Sequence, residues 1–140
     1  MWSFLRGWFS GRSTAPVAGA AGENAAADFL VRRGFRIVAR NWRNPADERE
    51  EIDLVCQEGD VVVFVEVKAR AANAMVPGYF AVNKKKKQIL RRAALAYLRG
   101  LRLKPATFRL DVVEVAETPG QPSKLLHFEN VPLFAKHDRP

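Results

Sequence analysis

Residues 51–70, EIDLVCQEGDVVVFVEVKAR, contain two strand patterns on either side of a short turn. The side chains of residues 51–56 alternate between an apolar set and a mostly charged set, as the side chains of a half-buried strand do. One face of that strand carries Ile52, Leu54 and Cys56, and the other carries Glu51, Asp53 and Val55. Residues 61–68 are apolar on both faces as far as residue 65, which predicts a strand in the middle of a sheet. The turn at residues 58–60 joins the two strands as an antiparallel hairpin.

The turn also predicts which residues of this hairpin face each other. Asp53 and Glu66 are equally far from a turn centre between residues 59 and 60, so we expect them to be cross-strand neighbours. Two carboxylates in such positions repel each other. A divalent cation bound by both carboxylates would turn this repulsion into attraction to the cation. Carboxylate oxygen ligands of this kind suit Mg²⁺ or Mn²⁺.

Lys68 lies two residues after Glu66, so the two side chains share one face at the end of an apolar strand. Charges in such a place destabilise the fold unless each has a partner. A plain structural ion pair between Glu66 and Lys68 is one explanation, and a solvated Asp53 near the turn is another. A site that uses all three charges is the explanation that we favour.

The rest of the chain supplies two helices and three further strands. One helix is predicted at residues 23–33, ended by Gly34 in a left-handed conformation, and another at residues 81–99, with an apolar stripe at helical spacing. Strands are predicted at residues 35–39, 107–115 and 124–128, and loops at residues 41–49 and 69–77. The element order αβββαββ predicts an α/β fold with a mixed central β-sheet flanked by helices.

The composition fits one globular domain. The chain has 140 residues, of which 48% are hydrophobic and 27% charged, and this excludes a disordered chain. We expect a flexible arm at residues 1–21, a domain at residues 22–130 and a C-terminal tail at residues 131–140. The single cysteine excludes a disulfide framework and a cysteine-based zinc site, and it fits a reducing, cytoplasmic location. No apolar run reaches the about 20 residues that a transmembrane segment needs.

The net charge of +8 divides into an acidic block and a basic block. Residues 47–66 contain eight acidic residues and one basic residue, whereas residues 84–104 contain nine basic residues and no acidic one. Lysines 84–87 occupy the start of the second helix, where the helix dipole disfavours cations. Two solvated faces of opposite charge would explain the pattern, and so would a metal site beside a track for phosphate groups.

Several of these segments together resemble the YraN-like family, a branch of the restriction-endonuclease-like superfamily whose signature is an Asp, a spacer and Glu-x-Lys. The resemblance covers about residues 19–115. Its segments are Gly22-Glu23, Arg40-Asn41-Trp42-Arg43, Glu51-Ile52-Asp53-Leu54, Phe64-Val65-Glu66-Val67-Lys68-Ala69-Arg70, Lys86, Ala94 to Leu98, and Leu110-Asp111-Val112-Val113. The chain departs from the family at Glu50, where a glycine is usual, and at Val76-Pro77-Gly78, where Gly-x-Pro is usual.

The resemblance implies a role for each matching residue of the site. Asp53 and Glu66 would bind Mg²⁺ or Mn²⁺ together with the backbone carbonyl of Val67. Lys68 would orient or deprotonate the attacking water and stabilise charge on the phosphate. Glu23 would support the site or a second metal, although its place near a predicted helix start also suits the helix dipole.

The resemblance and the charge pattern also imply a nucleic-acid surface. The residues expected to contact nucleic acid are Lys84, Lys85, Lys86, Lys87, Arg91, Arg70 and Arg43. DNA is favoured over RNA as the partner, and the family resemblance also allows a homodimer. The alternative for the lysine run is a face that only aids solubility.

Three functions of different classes follow from these expectations. The first is a Mg²⁺-dependent endonuclease that hydrolyses phosphodiester bonds in DNA, including branched or structured DNA. The second is a nucleic-acid-binding protein of the same fold without catalysis. The third is a membrane-surface adaptor that uses residues 2–9 and the basic helix, and it leaves the carboxylates unexplained.

Asp111 and Trp42, both in segments that resemble the family, have plain structural explanations, and two histidines lie outside the matched region. Asp111 is expected to pair with a buried arginine, and Trp42 to lie at the edge of the core rather than stack on a base. His127 and His137 lack the spacing of metal ligands and are expected to be bystanders.

Overall fold

A computed structural model describes residues 19–71 and 83–138, which form two helices and a five-stranded sheet. The elements are α1 (Gly19–Arg32), β1 (Arg36–Asn44), β2 (Asp47–Glu58), β3 (Val61–Ala71), α2 (Lys84–Arg99), β4 (Thr107–Glu117) and β5 (Lys124–Val131). The predicted order αβββαββ and the α/β class are confirmed. This order is consistent with a restriction-endonuclease-like core.

The strands lie in the sheet in their sequence order, so β3 is the central strand as predicted. Only the β3–β4 pair is parallel, because α2 carries the chain back across the sheet between these two strands. The β2–β3 hairpin has the predicted register, with Glu58 opposite Val61 and Leu54 opposite Val65. The central place of β3 explains why its side chains are buried from Val62 to Lys68.

Among residues 19–71 and 83–138, one helix packs on each face of the sheet. On the α1 face, Ala26, Ala27 and Leu30 pack with Leu54, Cys56, Val63, Val65, Val67, Val113 and Val115. On the α2 face, Leu90, Ala93, Ala94 and Leu98 pack with Ile52, Val55, Phe64, Leu110 and Val112. The sheet is thus buried between two helices, which accounts for the apolar runs in β3 and β4.

The prediction of a polar loop at residues 41–49 is wrong. β1 continues to Asn44, β2 already begins at Asp47, and only Pro45 and Ala46 separate the two strands. The polar sequence misled the prediction because β1 is an edge strand, in which residues 41–44 are only half-buried and can be polar. Backbone pairing with β2 holds this strand, so apolar side chains are not required along it.

Other element boundaries also differ from the predicted ones, among them the ends of β4 and β5, which lie at Glu117 and Val131 rather than at residues 115 and 128. Helix α1 begins at Gly19 rather than residue 23 and ends before Gly34, which has the predicted left-handed conformation with φ +94°. Strand β3 continues to Ala71, so the first residues of the predicted loop 69–77 belong to it, and the others lie outside the described residues. Helix α2 begins at Lys84 after the cap Asn83, whose side chain accepts a hydrogen bond from the backbone N–H of Lys86.

A buried polar network ties β4 to β5. The Asp111 carboxylate accepts hydrogen bonds from Arg109 and from the backbone N–H of Asn130, and it lies 2.8 Å from Nε2 of His127. Burial by itself would raise the pKa of the Asp111 carboxyl. The hydrogen bonds with His127 and Arg109 outweigh this effect and keep its pKa below the usual value. The structural explanation of Asp111 is confirmed, and His127, expected to be a bystander, is part of this network.

The chain beyond β5 follows the α2 face of the sheet. Leu133 and Phe134 pack against the core there, and the Arg91 guanidinium of α2 pairs with Asp138. Neither helix of the described part of the chain is both long and apolar enough to cross a membrane. The predicted arm lies almost wholly in residues 1–18, outside the described residues.

Candidate active site

The candidate site lies where β2 separates from β3. Their backbone pairing reaches Leu54 and Val65, and Asp53 and Glu66 come next on the two strands. Here the Asp53 side chain takes the place of a backbone partner, because its Oδ2 accepts a 2.8 Å hydrogen bond from the backbone N–H of Val67. The predicted register is confirmed as far as the Leu54–Val65 pair; beyond it Asp53 and Glu66 do not pair through the backbone, and the Asp53 side chain bridges the opening to Val67.

Asp53 can bridge this opening because β2 twists at that residue. Ile52 packs on the α2 face while Leu54 packs on the α1 face, although strict alternation puts both on one face. The predicted alternation of residues 51–56 is therefore wrong at Asp53. A regular strand would direct this carboxylate above or below the sheet, whereas the twist leaves it beside the backbone of Val67.

The neighbouring strand β1 twists at the same level. Arg40 pairs with Leu54 and Trp42 pairs with Ile52, so Asn41 lies opposite Asp53. Asn41 has a left-handed backbone with φ +50°, a conformation that asparagine tolerates better than most residues. The Arg40-Asn41-Trp42 segment thus supplies the backbone geometry that keeps β1 paired with the twisted part of β2.

Three charged side chains meet on the α2 face at the end of β3. Glu66 and Lys68 are both buried in the strand, as predicted from their shared face. Lys86 of α2 is also buried, and its Nζ lies 3.8 Å from Oε1 of Glu66. Burial lowers the pKa of Lys68 to about 8; the Glu66 carboxylate opposes this shift and the Lys86 ammonium adds to it.

Glu23 is buried on α1 with an exposed fraction of only 4%. Because α1 begins at Gly19, the first turn contains no acidic residue and Glu23 lies in the second turn. The attraction of the helix dipole falls off within the first turn, so the dipole explains the position of Glu23 poorly. Glu23 is close along the helix to Ala26 and Ala27, which pack in the same cluster as Val67.

Two further acids of the β1–β2 hairpin are buried and paired with basic or amide side chains. Oε2 of Glu51 lies 3.3 Å from the Arg43 guanidinium. Glu50, which stands where the family usually has glycine, accepts hydrogen bonds from Asn44 and from Arg92 of α2. Glu50 therefore joins the hairpin to the basic helix, a contact that glycine could not make.

Glu114 was not predicted from the sequence, yet it is a fully buried carboxylate next to the site. It lies on β4 opposite Lys68 and forms an ion pair with Arg70 of β3. The available signal was a charged residue in the otherwise apolar run Val112 to Ala116. Such a residue must be paired in a buried strand, but the sequence does not show with which cation.

The residues predicted to contact nucleic acid fall into two groups. Lys84 and Lys85 are exposed and Lys87 is half-buried on the first turns of α2. The remaining four have carboxylate partners inside the fold: Lys86 with Glu66, Arg70 with Glu114, Arg43 with Glu51, and Arg91 with Asp138. Lys86 departs most from its predicted place on an exposed phosphate-contacting face, because helical spacing puts it on the same side of α2 as Leu90.

Trp42 takes the structural place that we expect from the sequence. Its ring packs edge-on against Tyr97 of α2 at a centroid distance of 5.3 Å, at the edge of the core. Cys56 is buried on the α1 face, and burial raises the pKa of its thiol to about 12. This thiol is therefore not a candidate nucleophile.

The donor set at the strand opening suits a hard divalent cation. Within residues 19–71 and 83–138, no three His, Cys, Asp or Glu side chains form a group that could hold a metal by themselves. Mg²⁺ does not need such a cage, since it is usually bound through one or two carboxylates together with water and substrate phosphate. Asp53, Glu66 and the backbone carbonyl of Val67 are the oxygen groups that could hold such a cation, and Asp53 is positioned by the hydrogen bond that its carboxylate accepts from the backbone N–H of Val67.

Comparison with known proteins identifies the family of this chain. The model of "Uncharacterised protein family UPF0102" matches residues 22–115, which include every residue of the candidate site. A UPF0102 protein of Symbiobacterium thermophilum is 46% identical over 101 residues, covering 72% of this chain and 83% of the relative. A UPF0102 protein of Renibacterium salmoninarum is 40% identical over 113 residues, covering 81% and 93%. The resemblance to the YraN-like family is thereby confirmed, and the chain belongs to the uncharacterised protein family UPF0102.

Proposed function

We propose that this protein is a Mg²⁺- or Mn²⁺-dependent endonuclease that hydrolyses phosphodiester bonds in DNA. The observation that carries the proposal is the buried Asp53 carboxylate at the opening between β2 and β3, which accepts a hydrogen bond from the backbone N–H of Val67, the residue between the buried Glu66 and Lys68. Buried charges in a strand opening destabilise a fold, so their grouping favours a chemical role.

The residues of the site divide the chemistry among them. Asp53, Glu66 and the carbonyl of Val67 would hold the cation. A bound cation would polarise the phosphate and lower the pKa of an attacking water. Lys68 would donate hydrogen bonds to the phosphate oxygens and stabilise the negative charge that grows there as water attacks phosphorus and the bond to the sugar oxygen breaks.

The basic helix supports DNA as the substrate. Lys84 and Lys85 are exposed on the turn of α2 that also carries Lys86, whose ammonium faces Glu66. One turn of an α-helix spans about 5.4 Å, so the exposed lysines lie close to the site. They would bind the phosphates on either side of the scissile one and hold the strand across the opening.

Cleavage of defined DNA forms tests the proposal. We expect the full-length protein to cleave at least one of single-stranded, duplex, flap and four-way-junction DNA with Mg²⁺ or Mn²⁺, and to stop when EDTA is added. Asp53→Asn should lose this activity, whereas Asp60→Asn, an equivalent change in the exposed β2–β3 turn, should retain it. Equal cleavage by the wild type and the Asp53→Asn protein would identify a contaminating nuclease and contradict the proposal.

A second candidate is a nucleic-acid-binding protein without catalysis, which the exposed lysines of α2 favour independently of the carboxylates. Each phosphate contact contributes about 0.9 to the slope of log affinity against log salt on duplex DNA. Lys84→Ala with Lys85→Ala should therefore lower this slope by about 1.8, while Glu66→Gln should leave binding intact.

Lys124→Ala with Lys136→Ala is the matched control for this binding measurement. It removes the same charge from exposed positions on β5 and beyond it. An equal loss of slope in this control would mean that net charge, rather than the α2 surface, governs binding. Salt-independent binding by the wild type would argue against both nucleic-acid functions.

A further inference from the structure

Lys86 is a buried lysine whose placement has no explanation in the packing of α2 alone. Its side chain is only 3% exposed, and the carboxylate it faces, Glu66, is 4% exposed. The Asn83 cap holds the backbone N–H of Lys86, so this residue occupies a fixed position in the first turn of the helix. The helix dipole disfavours a cation there, and burial disfavours it further.

The negative charge of Glu66 compensates the buried positive charge of Lys86, and the positive charge of Lys86 compensates the buried negative charge of Glu66. A buried carboxylate and a buried ammonium stabilise each other, and loss of one partner leaves the other charge uncompensated. The same carboxylate is the one that the proposed function gives to a divalent cation. The Lys86 ammonium and the divalent cation would therefore both need the negative charge of Glu66. Because both are positively charged, they would repel each other when both lie close to this carboxylate.

We propose that Lys86 is the resident counter-cation of Glu66 and competes with the divalent metal for it. Binding of a substrate phosphate would draw the Lys86 ammonium away from Glu66 and so strengthen metal binding. By thermodynamic linkage, metal binding would strengthen phosphate binding by the same factor. This inference rests on the proposed function, and it makes occupancy of the metal site depend on the presence of nucleic acid.

Metal binding by the full-length protein without nucleic acid tests the competition directly. Mn²⁺ affinity is measured by calorimetry or electron paramagnetic resonance for the wild type, Lys86→Met and the control Lys124→Met, whose lysine is exposed on β5. We expect Lys86→Met to bind Mn²⁺ about 5- to 150-fold more tightly, the usual range of coupling between sites. Lys124→Met should bind Mn²⁺ as tightly as the wild type does, and so should Lys86→Arg, because arginine keeps the positive charge beside Glu66.

A measurement on the wild type keeps the test decisive if Lys86→Met does not fold. With ¹⁵N-labelled lysine, the Lys86 ammonium resonance should shift when Mg²⁺ is added and shift in the same direction when inorganic phosphate is added. An unchanged resonance would overturn the inference, as would unchanged or weaker Mn²⁺ binding in a folded Lys86→Met protein.

The possible results of these measurements show whether the inference, the proposed function or both are wrong. Metal binding by the wild type with no effect of Lys86→Met would remove the inference and leave the nuclease proposal standing. Metal binding that strengthens in Lys86→Met, in a protein that cleaves no DNA, would support the inference and remove the nuclease. No metal binding by either protein would overturn both.

Discussion

Replacement of Lys68 by methionine is expected to lower the rate of Mg²⁺-dependent DNA cleavage by about 10²- to 10⁴-fold. Methionine has a similar length and packs well in a buried strand, so the change removes the ammonium with little loss of volume. Lys68 is buried beside Glu66 on the central strand, where a charge acts in a less polar environment than water. Its contribution to the transition state should therefore be large.

The expected result has a specific kinetic form. Lys68→Met should lower kcat more than it raises KM, because the proposed interaction with the phosphate strengthens as negative charge develops in the transition state. The measurement is cleavage of the best substrate form at saturating Mg²⁺, compared with Lys124→Met. Lys124 is an exposed lysine of β5, and its replacement removes the same group far from the strand opening.

A different distribution of effects would contradict this role. If Lys68→Met changed only KM, the residue would bind substrate equally in the ground and transition states. If Lys68→Met cleaved as fast as the wild type while Asp53→Asn was inactive, Lys68 would be only the structural partner of Glu66. Circular dichroism of each variant establishes that the fold is intact before rates are compared.

The centre of the fold could be predicted from residues 51–70 because the signals there are local. The turn at Glu58–Asp60 sets the hairpin register, and the apolar run from Val61 marks a strand buried on both faces. Together these signals predict that Asp53 comes level with the Glu66-Val67-Lys68 segment, where its carboxylate accepts a hydrogen bond from Val67. Gly34 was equally predictable, since its left-handed backbone favours glycine.

The features that could not be predicted depend on contacts between distant segments. β1 is polar along most of its length, and only its pairing with β2 makes it a strand. The twist at Asp53 lies opposite the left-handed Asn41 of the neighbouring strand, 12 residues earlier in the sequence. Helical spacing already puts Lys86 on the apolar side of α2 with Leu90, but its partner Glu66 comes from the sheet and is not evident from the basic run.

Arg70 illustrates the same difficulty and leads to the second large effect. From the sequence it belongs with the phosphate-contacting residues, yet it forms an ion pair with the fully buried Glu114 of β4. Arg70→Met is expected to lower the free energy of unfolding by about 3–5 kcal/mol, because it leaves the Glu114 carboxylate buried without its arginine. Such a loss is a large fraction of the about 5–15 kcal/mol that stabilises a typical domain.

A second substitution separates the buried charge from other effects of removing Arg70. In the double variant Arg70→Met with Glu114→Leu no uncompensated carboxylate remains, so most of the lost stability should return. Urea unfolding measures the stability of each variant, with Arg49→Met as control because Arg49 pairs with Asp47 at the exposed end of the hairpin.

Two results would contradict this account of the Arg70–Glu114 pair. A urea midpoint for Arg70→Met equal to that of Arg49→Met would show that the pair contributes little to stability. A double variant no more stable than Arg70→Met would show that packing of the arginine stem, rather than its charge, holds β3 and β4 together at this position.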